Sequence, residues 1–168
     1  MVRAHQARIL RLCASLLGDP TLAEDAAQET FLKAYGGSRS FRGQSSVGTW
    51  LYRIASNHCL DLLRKRRRER TQSWEALIEE SGEELHRLLA PSSDPKTAAA
   101  DTELVERALA HLTPEYRLIL TLREIEGLSY QELTVALACS LDAVKARLRR
   151  ARQDLLEHLR HFLKPGGV

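Results

Sequence analysis

The sequence predicts an all-α protein: two small helical domains joined by a flexible acidic linker, the second domain built around a helix-turn-helix. Three observations carry this. Ala, Leu, Arg and Glu dominate the 168 residues, aromatics make up only 5%, and β-branched residues are few, a composition short of strand formers. Apolar residues recur at helical spacing through both halves of the chain. Charge is segregated: residues 1–70 hold 13 Lys/Arg against 6 Asp/Glu, residues 71–103 hold 2 against 8, and residues 104–168 hold 10 against 8. Two basic ends joined by an acidic middle imply two nucleic-acid contacts and a connecting segment of another kind. With 43% hydrophobic residues, the chain is long enough for one medium domain or two small ones with real cores.

The first domain, residues 1–70, opens with a helix over 3–17 that places Ile9, Leu12, Cys13 and Leu16 on one face. Gly18, Asp19 and Pro20 end it. Arg8 and Arg11 interrupt its apolar residues, so it reads as amphipathic, neither signal peptide nor membrane span. Thr21 and Glu24 stand at capping-box spacing and predict a second helix through about Tyr35. Ala23, Ala27, Thr30, Phe31 and Ala34 cluster on one side of it; Asp25, Gln28, Glu29 and Leu32 cluster on the other. A single exposed leucine is ordinary, but one inside an acidic patch equally fits a protein-docking surface.

Residues 36–49 form a loop rich in Gly and Ser, in which Phe41 and Arg42 are placed to meet a base or a phosphate. A helix from about Val47 carries Val47, Leu51, Ile54 and Leu62 on one face and Trp50, Arg53 and Asn57 on its neighbour. Taken alone, that row reads as a core tryptophan with incidental polar neighbours. The helix runs into Arg64, Lys65, Arg66, Arg67, Arg68 and Arg70, broken only by Glu69. Cations complement a helix C-terminus, yet this density exceeds that need and predicts a phosphate-binding end.

Residues 71–103 carry Glu75, Glu79, Glu80, Glu83, Glu84, Asp94 and Asp101 and the turn-rich stretch from Ala90 to Pro95. Trp74, Leu77, Ile78, Leu85, Leu88 and Leu89 support a short helix; otherwise this is a linker, expected to be disordered in the free protein. The second domain, 104–168, opens with a helix begun at Thr102 that carries Leu104, Val105, Ala108, Leu109 and Leu112. Thr113-Pro114-Glu115 starts the next, which runs to Glu126 with Ile119, Leu120, Leu122 and Ile125 and is closed by Gly127. Ser129 and Glu132 form a capping box ahead of a short helix with Leu133, Ala136 and Leu137. Cys139 and Ser140 break the pattern, and Ser140 caps a long basic helix.

On that last helix Leu141, Val144, Leu148, Ala151 and Leu155 fall in one stripe toward the core. Asp142, Ala146, Arg149, Arg150 and Gln153 fall opposite, with Lys145 at the edge. A short helix, a tight turn and a basic helix make a helix-turn-helix whose second helix suits a DNA major groove. The outer face has donors for guanine edges and phosphates, and Ala146 permits close approach. The plainer reading is a solvated helix whose arginines only confer solubility; the clean stripes, the capped helix before it and the turn favour DNA contact.

Cys13, Cys59 and Cys139 are isolated and lack CxxC spacing, the pattern of a reduced cytoplasmic protein with structural thiols, a redox switch being the lesser reading. No Gly-rich phosphate loop, metal-spaced Cys/His set or nucleophile motif is present. The expectation is therefore no enzyme, no catalytic residue, no cofactor and no metal. His158 and His161, at i and i+3, lack further ligands, while His5, His58, His86 and His111 read as structural or surface residues.

Taken together, DAAQETFLKAY at 25–35, SFRG at 40–43, TWLYRIASNHCLDLLRKRRR at 49–68, LTPEYRLILTLREIEGLSYQEL at 112–133 and AVKARLRRAR at 143–152 resemble, in order, the extracytoplasmic-function group of bacterial RNA polymerase sigma factors. The resemblance covers nearly all of the chain and implies a cytoplasmic transcription initiation factor. It implies that Asp25, Gln28, Glu29 and Leu32 dock on the clamp of the polymerase largest subunit, and that the flap of the second subunit is a further partner. It implies that Phe41, Arg42, Trp50, Arg53 and Asn57, with Arg64, Arg66 and Arg67, open the −10 promoter element around a flipped non-template base. Lys145, Ala146, Arg149, Arg150 and Gln153 would then read the −35 element, the acidic linker would thread toward the polymerase active site, and an anti-sigma factor would regulate the chain. The family usually has another turn or two of helix before the segment matching Arg3–Leu17, so a short first helix or a misassigned start is expected. A one-component regulator, with the same helix-turn-helix and a sensing N-terminal half, is the rival, but such a half has no need of the cations at 64–70.

Overall fold

The computed structural model describes residues 2–38, 41, 43–78 and 100–163. Arg42 and residues 79–99 of the acidic linker lie outside them. Among the described residues every regular element is helical, as the composition predicts.

Helix α1 (Val2–Leu17) buries Ile9, Leu12, Cys13 and Leu16, the stripe its spacing defines. α2 (Pro20–Gly37) begins before the Thr21–Glu24 pair. Its cap is Asp19, whose Oδ1 accepts the Leu22 N–H at 3.1 Å, and Pro20 takes the first position. Proline suits that place because its missing N–H would have no helical partner there. α2 buries Ala23, Ala26, Ala27, Thr30 and Ala34, small residues that bring it close to its neighbours. The buried Thr30 hydroxyl is satisfied by donating to the Ala26 carbonyl at 2.8 Å.

α3 (Val47–Ile78) spans 32 residues. Ser46 caps it: its Oγ accepts the Thr49 N–H at 3.0 Å and lies 2.8 Å from Thr49 Oγ1. The cationic run is not the end of this helix. Helix continues eight residues past Arg70, into the stretch expected to be linker, because Arg, Lys, Glu and Gln are good helix formers and no Gly or Pro intervenes. Leu51, Tyr52, Ala55 and Cys59 of α3 complete the first core. Cys13 and Cys59 meet there, fully buried; the hydrogen bond between the two thiols, then burial, pushes Cys59 far up, so it stays a thiol. That is the structural role expected of buried cysteines.

The second domain comprises α4 (Ala100–His111), α5 (Pro114–Leu120), one π-helical turn (Thr121–Ile125), α6 (Tyr130–Leu137) and α7 (Leu141–Leu163). Thr113 caps α5, accepting the Tyr116 N–H at 3.4 Å, with Pro114 in the first position. The π turn departs from the plain helix expected over 114–126. It is closed by Glu126 N–H to the Thr121 carbonyl at 2.9 Å. Its wider winding turns Ile125 away from the core, leaving it half exposed, and keeps Glu126 buried. Gly127, at φ +74°, then reverses the chain, with Leu128 N–H bonded to the Leu122 carbonyl at 3.0 Å.

The two domains lie against each other. α1 and α3 pack on α5, the π turn and α6. Arg117 stitches two helix ends: it donates to the carbonyls of Leu109 (2.8 Å), Ala110 (2.7 Å) and Leu112 (3.2 Å) behind α4, and to that of Leu16 (3.2 Å) at the end of α1. A cation there meets the negative ends of both helices. Ser15 Oγ stands 2.9 Å from Thr121 Oγ1. No helix among the described residues is long and apolar enough to cross a membrane.

Candidate nucleic-acid interface

The helix-turn-helix is built from short-range bonds. Ser129 and Glu132 form the expected capping box: Ser129 N–H donates to Glu132 Oε2 at 2.8 Å and Glu132 N–H to Ser129 Oγ at 3.2 Å. Those bonds from Ser129, backbone first, hold the Glu132 carboxyl below the ordinary carboxylate range. The turn is made by Ala138, which adopts a left-handed conformation at φ 50°. Ser140 then caps α7, accepting the Ala143 N–H at 3.2 Å. Arg123 lies over the Tyr130 ring at 4.9 Å and donates to the Leu128 carbonyl at 2.6 Å, tying the entry of the motif to the π turn.

α7 is divided as its sequence requires. Val144, Leu148 and Ala151 are fully buried, and Leu141 and Leu155 are half-buried beside them. Lys145, Arg149, Arg150 and Gln153 are exposed and Ala146 is half-buried. Gln153 spends one amide N–H on Glu157 at 3.3 Å. Arg152, on the flank, is bound to Glu124 at 2.6 and 3.1 Å, which leaves Lys145, Arg149 and Arg150 as the open cations of this face. His158 stacks on His111 at 5.5 Å and lies 3.6 Å from Asp154, so it serves the α4–α7 contact.

In the first domain the loop and α3 come together. Phe41 packs on Trp50 with ring centroids 4.9 Å apart and planes tilted by 37°. Both are half-buried, and Arg53 and Asn57 follow along α3, exposed. Trp50 is thus neither a plain core residue nor a free one; it is a platform roofed by a loop aromatic. Further along, Arg64 is held by Asp61 at 3.0 Å, whereas Arg66 and Arg67 are exposed.

On α2, Asp25 and Gln28 are exposed and Glu29 is half-buried, 3.8 Å from Lys33. Leu32 is 66% exposed, and Tyr35, one turn on, is 84% exposed. Tyr35 enlarges the apolar part of the acidic face; standing at the expected end of the helix, it gives no sign of this in the sequence.

A third cluster is not legible in the sequence. Glu126, with a side chain 1% exposed, accepts from Arg8 Nε at 2.9 Å, Arg11 Nε at 2.8 Å and the Tyr52 hydroxyl at 2.6 Å, while Arg8 also donates to its carbonyl oxygen at 2.8 Å. Burial pushes the carboxyl up, but its donors Arg11, Tyr52 and Arg8 together outweigh burial and hold it below the ordinary range. Burial and the same carboxylate push the Tyr52 hydroxyl far up.

These features define a class: an all-helical, two-domain protein organised around a capped helix-turn-helix. Residues 1–69 match the family model for Sigma-70 region 2, and residues 102–155 match that for Sigma-70, region 4. The chain is 34% identical over 167 residues to the RNA polymerase sigma-H factor of Pseudomonas aeruginosa, which covers 98% of this chain and 86% of that protein. It is 35% identical over 162 residues to the ECF RNA polymerase sigma factor SigE of Mycolicibacterium smegmatis, covering 95% of this chain and 60% of that protein's length. Its fold is similar to that of the sigma factor RpoE from Bartonella quintana, solved in complex with the anti-sigma factor NepR, at a TM-score of 0.71 and 27% identity over 95% of this chain and 94% of that one. The chain belongs to the extracytoplasmic-function group of RNA polymerase sigma factors.

Proposed function

We propose that this sigma factor docks on core RNA polymerase through α2, reads the −35 element with α7 and melts the −10 element with the Phe41 loop and α3. The observation that carries this is the Phe41–Trp50 pair beside the exposed Arg53 and Asn57. A duplex-binding regulator needs only the helix-turn-helix. A second site with an aromatic platform, an amide and unpaired cations suits a base removed from its stack. Asn57 has donor and acceptor atoms for a base edge, and Trp50 and Phe41 provide the stacking surface. Capturing the unpaired form shifts the duplex toward melting with no chemistry on the base.

In α7, Arg149 and Arg150 are placed for base edges or phosphates, Lys145 adds a point charge, and Ala146 leaves room for the helix to approach. Arg66 and Arg67 supply phosphate contacts from the far end of α3. Domain limits at 1–70 and 104–168 separate these two tasks, with the acidic strap between them threading into the polymerase. An anti-sigma factor is the expected regulator, supported by the similarity to RpoE, which was solved with NepR. Its place of action is the bacterial cytoplasm, where polymerase and promoter are.

Run-off transcription with purified core polymerase tests the assignment. Arg149→Glu with Arg150→Glu is expected to abolish promoter-specific transcripts while core binding persists; loss of core binding instead rejects the role given to α7. Substituting Asn57 is expected to change the preference at one −10 position, and an unchanged preference rejects the capture site.

A further inference from the structure

Helices α2 and α3 are joined by a polar contact that base capture leaves unused. Lys33 Nζ stands 3.0 Å from His58 Nδ1. Lys33 directly follows Leu32 of the docking face, and His58 directly follows Asn57 of the capture row. An ammonium has only donors, so Nδ1 must accept, and the ring is neutral with its proton on Nε2. That N–H has no partner among the described residues. It is not buried either, since the Ser56 hydroxyl is the one buried side-chain polar atom among them left unpaired. It therefore opens to solvent as a donor whose orientation Lys33 fixes. The carboxylates that face the pair are already engaged: Glu29 of α2 lies 3.8 Å from Lys33, and Asp61 of α3 accepts from Arg64 at 3.0 Å. Burial first, then Lys33, holds the ring below the ordinary histidine range, against the pull of Glu29 and Asp61.

We propose that Lys33 and His58 form a phosphate site at the edge of the −10 surface, and that the backbone of the captured strand enters it as His58 takes up a proton. The inference rests on base capture, which puts a strand beside Asn57. Without a strand, a second positive charge 3.0 Å from the Lys33 ammonium is opposed. A phosphodiester group removes that opposition. The ammonium, released from Nδ1, and the His58 ring then both donate to it in charge-assisted hydrogen bonds. The proton comes from solvent, and no covalent bond of the chain or the strand changes. Bound strand therefore raises the His58 value above that of the free chain. Affinity for the strand rises as pH falls through the raised value and levels off below the free one.

The test uses holoenzyme assembled from purified core polymerase, so docking on α2 is complete before DNA is added. The probe is a fluorescent single strand carrying the non-template −10 region of a promoter found by run-off transcription. Wild type is expected to bind it about fivefold more tightly at about pH 6 than at about pH 8. His58→Asn offers Lys33 an acceptor but takes up no proton, and is expected to bind equally at both. Lys33→Gln is expected to lower the dependence of log affinity on log salt by about 0.7, the share of one phosphate contact on a single strand. Replacing the linkages of the strand one at a time by uncharged methylphosphonate is expected to remove the pH dependence at one position, which separates a backbone contact from a free anion. The same pH profile in wild type and His58→Asn, an unchanged salt dependence in Lys33→Gln, or a pH dependence that survives at every linkage overturns the phosphate site. Trp50→Ala and Asn57→Ala report on base capture itself. Strand binding unchanged by both, with the His58-dependent pH profile intact, refutes base capture and leaves the phosphate site standing. Binding lost in both, with equal pH profiles in wild type and His58→Asn, refutes the phosphate site alone.

Discussion

Ala138 has φ 50°, the only non-glycine residue with positive φ among those described, and it makes the turn of the helix-turn-helix. A Cβ in this region costs about 1–2 kcal/mol, while a glycine there loses about 0.4–1 kcal/mol more chain entropy on folding. Ala138→Gly is therefore expected to stabilise the protein by about 0.5 kcal/mol, raising the thermal midpoint by about 1–2 °C; a lower midpoint would show that the methyl group makes contacts that matter. Gly127 is the converse case. It has φ +74°, and a Cβ added there would meet nothing within 4 Å, so conformation alone selects glycine. Gly127→Ala is expected to cost about 1 kcal/mol by denaturant titration. The reversal at Gly127 could be read from its place after an apolar helical run; the break at Cys139 and Ser140 marks the next turn, but not the positive φ at Ala138, since alanine is the best helix former. Glu126 left a faint trace: it stands four residues after Leu122 and seven after Ile119, a charge on the buried stripe. Its partners lie 74 to 118 residues away in sequence, beyond any local pattern.

At the scale of the element, α2 presents Leu32 and Tyr35 one turn apart within an acidic face. Apolar and aromatic anchors framed by polar residues carry most of the free energy of an interface, often about 2 kcal/mol each. Leu32→Glu is expected to weaken association with core polymerase by about thirtyfold or more, and Tyr35→Ala by about tenfold, measured by competition binding; an unaffected affinity would remove α2 from the docking surface. Elements governed by period were the most legible. The stripes of α7, the capping box of α6 and the apolar face of α1 follow from spacing because each is set by residues three or four apart on one helix. Boundaries depending on competing local bonds were less so: Thr21 and Glu24 stand at capping-box spacing, yet Asp19 caps the helix two residues earlier, with Pro20 in its first position. α3 outruns its expected end because the cations that would mark a terminus are themselves good helix formers. At the candidate DNA site, the row Trp50, Arg53, Asn57 was visible in the sequence, but the Phe41 stack that gives Trp50 its setting crosses a loop whose path no periodicity encodes.

For the whole molecule, the Glu126 contact between the domains is expected to depend on pH. The groups that touch Glu126 are Arg8 and Arg11 from α1 and Tyr52 from α3, with His5 of α1 and Glu132 of α6 lining the same small cavity. Its carboxyl is held below the value it would have in an open chain. The contact is therefore at full strength above the ordinary glutamate value of about 4.3 and weakens as pH falls through the lower, held value. Neither the arginines nor the raised Tyr52 hydroxyl changes state in that window, and the half-exposure of the arginines keeps the effect modest. The radius of gyration of the free chain is expected to rise on acidification before helix content, followed by circular dichroism, is lost. Glu126→Gln keeps an acceptor in the same shape but has no proton to gain, so its expansion over this range is expected to be flat. Because Glu132 remains in that variant and titrates at the same seam, equal acid expansion in wild type and Glu126→Gln would move the pH-sensitive contact from Glu126 to Glu132. Expansion only in step with loss of helix would tie the domain contact to the stability of the cores themselves.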